Sequence, residues 1–350
     1  MTLGMTRVAQ AAVAEMSDAA SSGRALVVIA ERLAPECERW LGERCRVVRV
    51  YGEHGSPSGG RQRSDELGEA IGEAHGLVVR TSTRVDTALL DRAPRLVVVG
   101  RAGVGLDNID RQACASRGVR VVHSPGANTR AVVEFVLAAM LDATRPRARV
   151  HHTMDRGEWE SLREGQIASR ELWGSTLGIV GYGRIGSEVG RAGAALGMRV
   201  VYHDVREIEP GHRHGAEPAG LEEVLGRSDV VSIHVDGRRS NRGLIGQREV
   251  GLLGRDAVLI NTSRGFVVDA DAVAGWLGTC REAVAVLDVH DPEPIGRGAA
   301  LLGHGNAILT PHIAGATWRA KREMSWVVRD VWRVLNGECP EHEASPGETG

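Results

Sequence analysis

From Ala25 onward the chain alternates short runs of β-branched and aliphatic residues with longer stretches of helical character. The runs in the first third are residues 26–29, 46–50, 77–79, 96–99 and 119–122. Such alternation predicts parallel strands joined by crossover helices. Between the second run and the next helical stretch, Gly55-Ser56-Pro57-Ser58-Gly59-Gly60 has the composition of a flexible surface loop. Ser124-Pro125-Gly126 then breaks the chain, and Asn128 or Thr129 is placed to cap a long apolar helix through Leu141, the passage into a second domain.

Beyond that helix the alternation repeats, with runs at 177–180, 200–202, 230–233, 258–260, 284–287 and 308–309. A final amphipathic helix over 318–335 places Met324, Val327, Val331 and Leu335 on one stripe, and Gly337 followed by Pro340 ends it. The pattern predicts an α/β protein with two doubly wound parallel-sheet domains, a disordered leader at 1–23 and a disordered tail at 341–350.

Composition narrows the function classes. With 350 residues, 42% hydrophobic and 25% charged, the chain can bury two cores. Its 43 basic and 45 acidic residues leave a formal charge of -2, so no global field gathers nucleic acid or an anionic membrane, and small-molecule chemistry is the expectation. Nearly all the cations are Arg, with Lys321 the only lysine, and they are spread along the chain. The five cysteines, Cys37, Cys45, Cys114, Cys280 and Cys339, form no Cys-x-x-Cys pair; this fits a reducing, cytoplasmic compartment and no metal site. The longest apolar run, 131–141, is interrupted by Glu134 and falls short of the ~20 residues of a membrane-spanning helix.

The first chemistry sits at Gly181-Tyr182-Gly183-Arg184-Ile185-Gly186, which follows an apolar run and opens a helical stretch. In that context each glycine has a reason: a tight turn at Gly181, backbone approach to a pyrophosphate at Gly183, and close helix–strand packing at Gly186. The helix N-terminus adds N–H donors and positive potential. The next run leads to Asp204, about 20 residues on, where a carboxylate accepts ribose hydroxyls and repels a 2′-phosphate. The expected cofactor is therefore NAD rather than NADP, with Arg206 close by as the one feature that argues against strict exclusion.

More of the chain then becomes specific. Arg101-Ala102-Gly103-Val104-Gly105-Leu106-Asp107-Asn108-Ile109-Asp110, the turn Ser124-Pro125-Gly126-Ala127-Asn128-Thr129, the glycine loop, Asn261-Thr262-Ser263-Arg264-Gly265, Asp291-Pro292-Glu293-Pro294 and Thr310-Pro311-His312-Ile313-Ala314-Gly315 occur in this order. In these blocks the chain resembles the D-isomer-specific 2-hydroxyacid dehydrogenase family, most closely its 3-phosphoglycerate dehydrogenase branch without the C-terminal regulatory domain. The resemblance covers roughly residues 25–340. It implies a Rossmann NAD-binding domain over 126–316, inserted in a flavodoxin-like substrate domain built from 24–125 and 317–340, and a homodimer. It also implies a catalytic triad of Arg264, Glu293 and His312, and cofactor contacts from Gly181, Gly183, Arg184, Ile185, Gly186, Asp204, His234, Thr262 and Asp288, the last toward the nicotinamide carboxamide.

Elementary chemistry agrees with those roles. Oxidising an alcohol beside a carboxylate needs a cationic anchor, a proton acceptor and a group that orients the acceptor. The planar fork of Arg264 suits the carboxylate. The imidazole of His312 suits the proton, and Glu293, between two prolines, can fix the imidazole's tautomer and favour its charged form. On the substrate side, backbone N–H groups of Gly103, Val104 and Gly105 are expected to form a small anion nest after a strand. Arg80, followed by Thr81-Ser82-Thr83, resembles the phosphate-contacting arginine of the phosphoglycerate branch.

The expected activity is hydride transfer between NAD and the 2-position of a small anionic 2-hydroxy or 2-keto acid, phosphoglycerate-like by Arg80. Two departures bear on it. Where the family usually reads His-x-Pro-Leu-Thr, this chain has His234-Val235-Asp236-Gly237-Arg238-Arg239, and His290 stands where Phe is common. Val104 also replaces the lysine of phosphite-oxidising relatives. An NAD-sensing, corepressor-like interaction protein and a biosynthetic reductase of an anionic aldehyde or phosphonate remain alternatives at this point.

Overall fold

The computed structural model describes residues 23–51, 67–145, 147–168 and 170–346; the expected leader up to residue 22 and the expected loop at 55–60 lie outside the described residues. The chain divides into two compact units, residues 1–128 with 317–350 and residues 129–316.

The first unit carries a five-stranded sheet of β1 (Leu26–Ile29), β2 (Arg46–Arg49), β3 (Gly76–Val79), β4 (Val98–Arg101) and β5 (Arg120–His123) in the order β2-β1-β3-β4-β5. Every pairing is parallel. Because side chains alternate across a strand, Val27, Ile29, Val78 and Val98 pack with the helices Pro35–Gly42 and Val328–Leu335, while Val28, Leu77, Val79 and Val99 fill a second core on the opposite face. A fully buried aliphatic side chain contributes roughly 1.5–3 kcal/mol. The sheet's two covered faces therefore account for its uninterrupted apolar runs.

Two expectations fail in this unit. The single helix over 318–335 is two, Trp318–Ser325 and Val328–Leu335. At the break the N–H groups of Trp326, Val327 and Arg329 turn to carbonyls three residues back, at 3.2, 3.3 and 3.0 Å, and Ser325 Oγ donates to the Lys321 carbonyl at 2.7 Å. The apolar stripe survives, with Met324, Val327 and Val331 buried. The tail expected to be disordered from 341 is docked as far as it is described: the N–H groups of Glu341 and His342 donate to the Asp330 carboxylate at 2.9 and 3.0 Å, Glu343 bridges Val122, and Ala344 is buried. Polar anchors distant in sequence hold it, which local composition does not reveal.

The second unit carries a seven-stranded parallel sheet, β12-β11-β10-β9-β6-β7-β8, from β6 (Thr176–Val180), β7 (Arg199–His203), β8 (Glu217–Pro218), β9 (Val230–Ile233), β10 (Val258–Asn261), β11 (Val284–Leu287) and β12 (Ala307–Leu309). Strand order reverses between β6 and β9, and ligands of open α/β sheets bind outside the carboxyl ends of the strands at that switch point. The apolar helix Thr129–Thr144 runs one turn beyond the expected end and packs Val132, Val136 and Met140 against Ile179 and Val189. Helix Arg156–Glu164, with no buried residue, escapes any hydrophobic pattern; its sequence signal is the reciprocal cap between Asp155 and Glu158.

Candidate active site

At the switch point, Gly181 has φ +93°, a region that L side chains avoid, and a Cβ there would meet the His234 carbonyl carbon at 2.7 Å. A Cβ on Gly186 would strike the Gly181 carbonyl oxygen at 2.1 Å. These two glycines are required by the packing of loop, helix and the segment after β9. Gly183 is different, because its Cβ would find nothing nearer than the Arg206 guanidinium at 3.8 Å. The helix Arg184–Ala195 that follows has no side-chain cap. Its first N–H groups lack intrahelical acceptors and face outward beside an open glycine, the arrangement that suits a phosphate. Arg184 is exposed, and Ile185 is partly buried against the core of this unit.

Asp204, just past β7, accepts the Tyr182 N–H on Oδ2 at 2.8 Å and the Arg206 N–H on Oδ1 at 2.9 Å. Burial alone would raise its carboxyl, but Arg206 and these N–H donors outweigh burial and hold it below the ordinary carboxylate value. After β9, the His234 ring bonds the Ser232 hydroxyl at 2.8 Å and reaches the Thr262 hydroxyl at 3.5 Å. Burial pushes the imidazole down to about 3, so His234 is neutral at physiological pH. Glycine loop, Asp204, His234 and Thr262 thus line the carboxyl ends of β6, β7, β9 and β10, and the donor set fits a dinucleotide.

The three residues of the expected triad follow the adjacent strands β10, β11 and β12. Arg264 stands at the end of a loop held by Asn261, whose Oδ1 accepts the Ser263 N–H and hydroxyl at 2.9 and 2.7 Å and whose Nδ2 donates to the Arg264 carbonyl at 3.0 Å. Next to it, a Cβ on Gly265 would fall 2.0 Å from the His290 carbonyl carbon, so the 264–265 backbone lies directly against the segment that leads to Glu293. Glu293 Oε1 accepts the His290 N–H at 3.0 Å and its Oε2 lies 2.9 Å from His312 Nδ1. His290 Nε2, in turn, lies 2.9 Å from the Thr310 carbonyl, so this departure from the family pattern ties the Glu293 segment to the His312 segment. Both catalytic candidates are open to solvent, His312 at 45% and Glu293 at 36% of their side-chain surface.

His312 has φ +56°, a strained conformation for a non-glycine residue. What imposes it is Asp288. That carboxylate is fully buried and accepts the Thr310 hydroxyl at 2.6 Å, the Ile313 N–H at 2.8 Å and the Ala314 N–H at 2.7 Å, while the Asp288 carbonyl accepts the His312 N–H at 2.8 Å. Three acceptor sites of the Asp288 carboxylate thus serve the loop that presents His312, and nothing in a local sequence pattern reveals such distant donors.

In the other unit, Arg80 is clamped rather than free-standing. Glu31, which sequence reasoning missed, accepts the N–H groups of Arg80, Thr81, Ser82 and Thr83 at 2.9–3.2 Å. Burial would raise the Glu31 carboxyl, and the N–H donors more than reverse that. Asn108 Nδ2 donates to the carbonyls of Arg80 and Thr83, and Arg80 Nη1 to the Arg32 carbonyl at 3.2 Å. The nest is smaller than expected: the Gly103 N–H donates to the Arg101 carbonyl at 2.8 Å, which removes it from the donors available to an anion and leaves Val104 and Gly105.

The comparisons with known proteins agree with this architecture. Residues 137–314 match the family model for the D-isomer specific 2-hydroxyacid dehydrogenase NAD binding domain. The chain is 39% identical over 270 residues to a glyoxylate reductase of Aeropyrum pernix, covering 74% of this chain and 78% of the relative. It is 35% identical over 288 residues to a D-3-phosphoglycerate dehydrogenase of Methanocaldococcus jannaschii, covering 79% of this chain and 53% of the relative, so it spans about half of that longer protein. Among solved structures, the TT0316 protein of Thermus thermophilus superposes with a TM-score of 0.76 at 31% identity, over 91% of this chain and all of that one. The glycine loop at the switch point, the carboxylate after β7 and the matched domain lead to one statement: this chain belongs to the D-isomer-specific 2-hydroxyacid dehydrogenase family.

Proposed function

We propose that the protein interconverts a small anionic 2-hydroxy acid and its 2-keto acid, with His312 moving the proton, Glu293 orienting His312 and Arg264 holding the substrate carboxylate. The observation that carries this reading is the 2.9 Å contact between Glu293 Oε2 and His312 Nδ1, at the ends of strands beside the one that leads to Arg264. With its Nδ1 committed to Glu293, the imidazole keeps Nε2 for the substrate. In the oxidising direction Nε2 takes the hydroxyl proton as hydride leaves C2; in reduction it returns that proton to the carbonyl oxygen. NAD, when bound, supplies the hydride acceptor, and its reduced form the donor. The loop held by Gly181 and Gly186 seats the pyrophosphate, while Asp204, His234 and Thr262 line the same strand ends.

For the substrate's distal group we favour a phosphate, as in phosphoglycerate. Arg80 is fixed by Glu31 and Asn108, and burial together with Arg80 and Arg32 pulls the Lys321 ammonium below its ordinary value, the mark of cations crowded on one another. An anionic group relieves that crowding. Glyoxylate reductase and phosphoglycerate dehydrogenase relatives frame the alternatives. Turnover of NADH with glyoxylate, hydroxypyruvate and 3-phosphohydroxypyruvate tests both levels: no turnover with any of them defeats the dehydrogenase reading, and a higher kcat/KM for glyoxylate than for the phosphorylated acid defeats the phosphate assignment. His312→Gln should lower kcat by about 10²–10⁴-fold while leaving NADH affinity intact.

A further inference from the structure

We propose that His123 is a positioning residue for substrate binding: with Ser124 it holds the carbonyls of Gly103 and Val104 to one side, so that the N–H groups of Val104 and Gly105 face a carboxylate on the other. The inference rests on the dehydrogenase reading and on the loop after β4 as a place where the acid is held. A trans peptide is planar, and its carbonyl and the N–H that follows point in opposite directions. Fixing the Gly103 carbonyl therefore aims the Val104 N–H, and fixing the Val104 carbonyl aims that of Gly105. Both carbonyls are fixed. The Ser124 N–H donates to the Gly103 carbonyl at 3.0 Å, and His123 Nδ1 lies 3.0 Å from the Val104 carbonyl. A carbonyl cannot donate, so the ring nitrogen at that contact carries the proton.

Successive carbonyls of an extended, pleated strand point to opposite sides. Here two in a row turn to the same segment, residues 123–124, and the two N–H groups that follow turn together to the other side, which is the arrangement of an anion nest. Among the described residues, neither the Val104 nor the Gly105 N–H donates to an acceptor of the protein. Gly105 is buried, so a donor without a partner there is costly until an anion arrives. The segment behind the loop is itself braced from distant parts of the chain. Ser124 Oγ donates to the Met324 carbonyl at 2.9 Å, the His123 N–H to the His342 carbonyl at 3.1 Å, and the Ala344 N–H to the Val121 carbonyl at 2.8 Å. The docked tail thereby gains a role, because it fixes the backbone from which the imidazole reaches Val104. Without a donor at position 123 the peptide between Val104 and Gly105 is free to rotate and the Gly105 N–H loses its aim, while hydride and proton transfer keep their own groups.

The test compares the full chain with three variants: His123→Phe, which keeps a ring and removes the donor, His123→Ala, and His123→Asn, whose Nδ2 restores a donor near the lost nitrogen. Two readouts are used. One is steady-state turnover of the 2-keto acid that the parent reduces fastest, and the other is titration of oxalate, a carboxylate probe that NADH does not reduce, into the NADH-loaded protein. His123→Phe and His123→Ala should raise KM and the oxalate Kd by about five- to tenfold, with kcat and the NADH Kd within about twofold of the parent. His123→Asn should bring KM and the oxalate Kd back to within about twofold. Unchanged KM and oxalate Kd in a variant without the donor overturn the proposal, as does a defect that His123→Asn fails to repair, or one in which kcat and NADH affinity fall together with KM. A parent that reduces none of glyoxylate, hydroxypyruvate and 3-phosphohydroxypyruvate defeats the dehydrogenase reading instead; the oxalate titration, which needs no turnover, still decides the role of His123.

Discussion

Two glycine-containing loops, one in each unit, follow parallel strands and carry the same sequence promise of an anion held by backbone N–H groups. In the loop after β6 the labour is divided: Gly181 and Gly186 satisfy the packing, and Gly183 stands open before an uncapped helix of 12 residues. In the loop after β4, Gly103 donates its N–H to the Arg101 carbonyl, and its missing Cβ makes room for the Arg101 guanidinium, 1.2 Å from where that atom would be. The lesson is that a glycine marks a close approach, and only the tertiary structure says whether the approaching group is the protein itself or a ligand.

The contrast can be broken by substitution, and the largest effect belongs to Gly186→Ala. Its methyl group would collide with backbone that cannot swing away, so denaturant unfolding should show a loss upwards of about 3 kcal/mol, and NADH binding should fall with the fold. Asp288→Asn replaces an acceptor of three internal donors by a group with a donor of its own. A loss of about 2–3 kcal/mol is expected, together with a kcat defect from the displaced His312 loop; a fully stable variant with normal kcat would show that Asp288 does not hold that loop.

Gly183→Ala separates binding from folding. Stability should change by less than about 1 kcal/mol while the NADH Kd rises about tenfold, and the opposite outcome would make Gly183 a packing glycine like its neighbours. Gly103→Ala should cost about 1 kcal/mol, because the far end of the Arg101 side chain can yield, and should leave NADH affinity unchanged. If both alanine variants weakened NADH equally, the distinction between the two loops would be lost. The smallest effect at neutral pH concerns His234. Its folded value of about 3 lies below the ordinary 6.5, so the unfolded chain binds the extra proton and stability declines as pH falls from 6.5 toward 3. His234→Asn should flatten the dependence of the unfolding midpoint on pH over that window and leave it unaltered above pH 8; an unchanged slope would show that this imidazole takes up its proton in the folded state.

How much of this was legible beforehand differs from residue to residue. The buried strands at 26–29, 177–180 and 230–233 announce themselves because a strand covered on both faces must be apolar throughout. Arg264, Glu293 and His312 could be named from motifs that resemble one family. Helix Arg156–Glu164 could not be seen by hydrophobicity, having no buried face, nor could the break after Ser325, where apolar spacing continues across a change of hydrogen-bond partner.

The sequence by itself determined the two parallel-sheet units and the chemistry available at their strand ends, because burial period and turn residues are local properties of a chain. Only the tertiary structure decided where carboxylates spend their oxygens: Asp288 on the His312 loop, Glu31 on the Arg80 loop and Asp330 on the tail. A carboxylate pairs with whatever donors the fold brings within about 3 Å, and those donors come from residues whose separation along the chain carries no trace of that proximity.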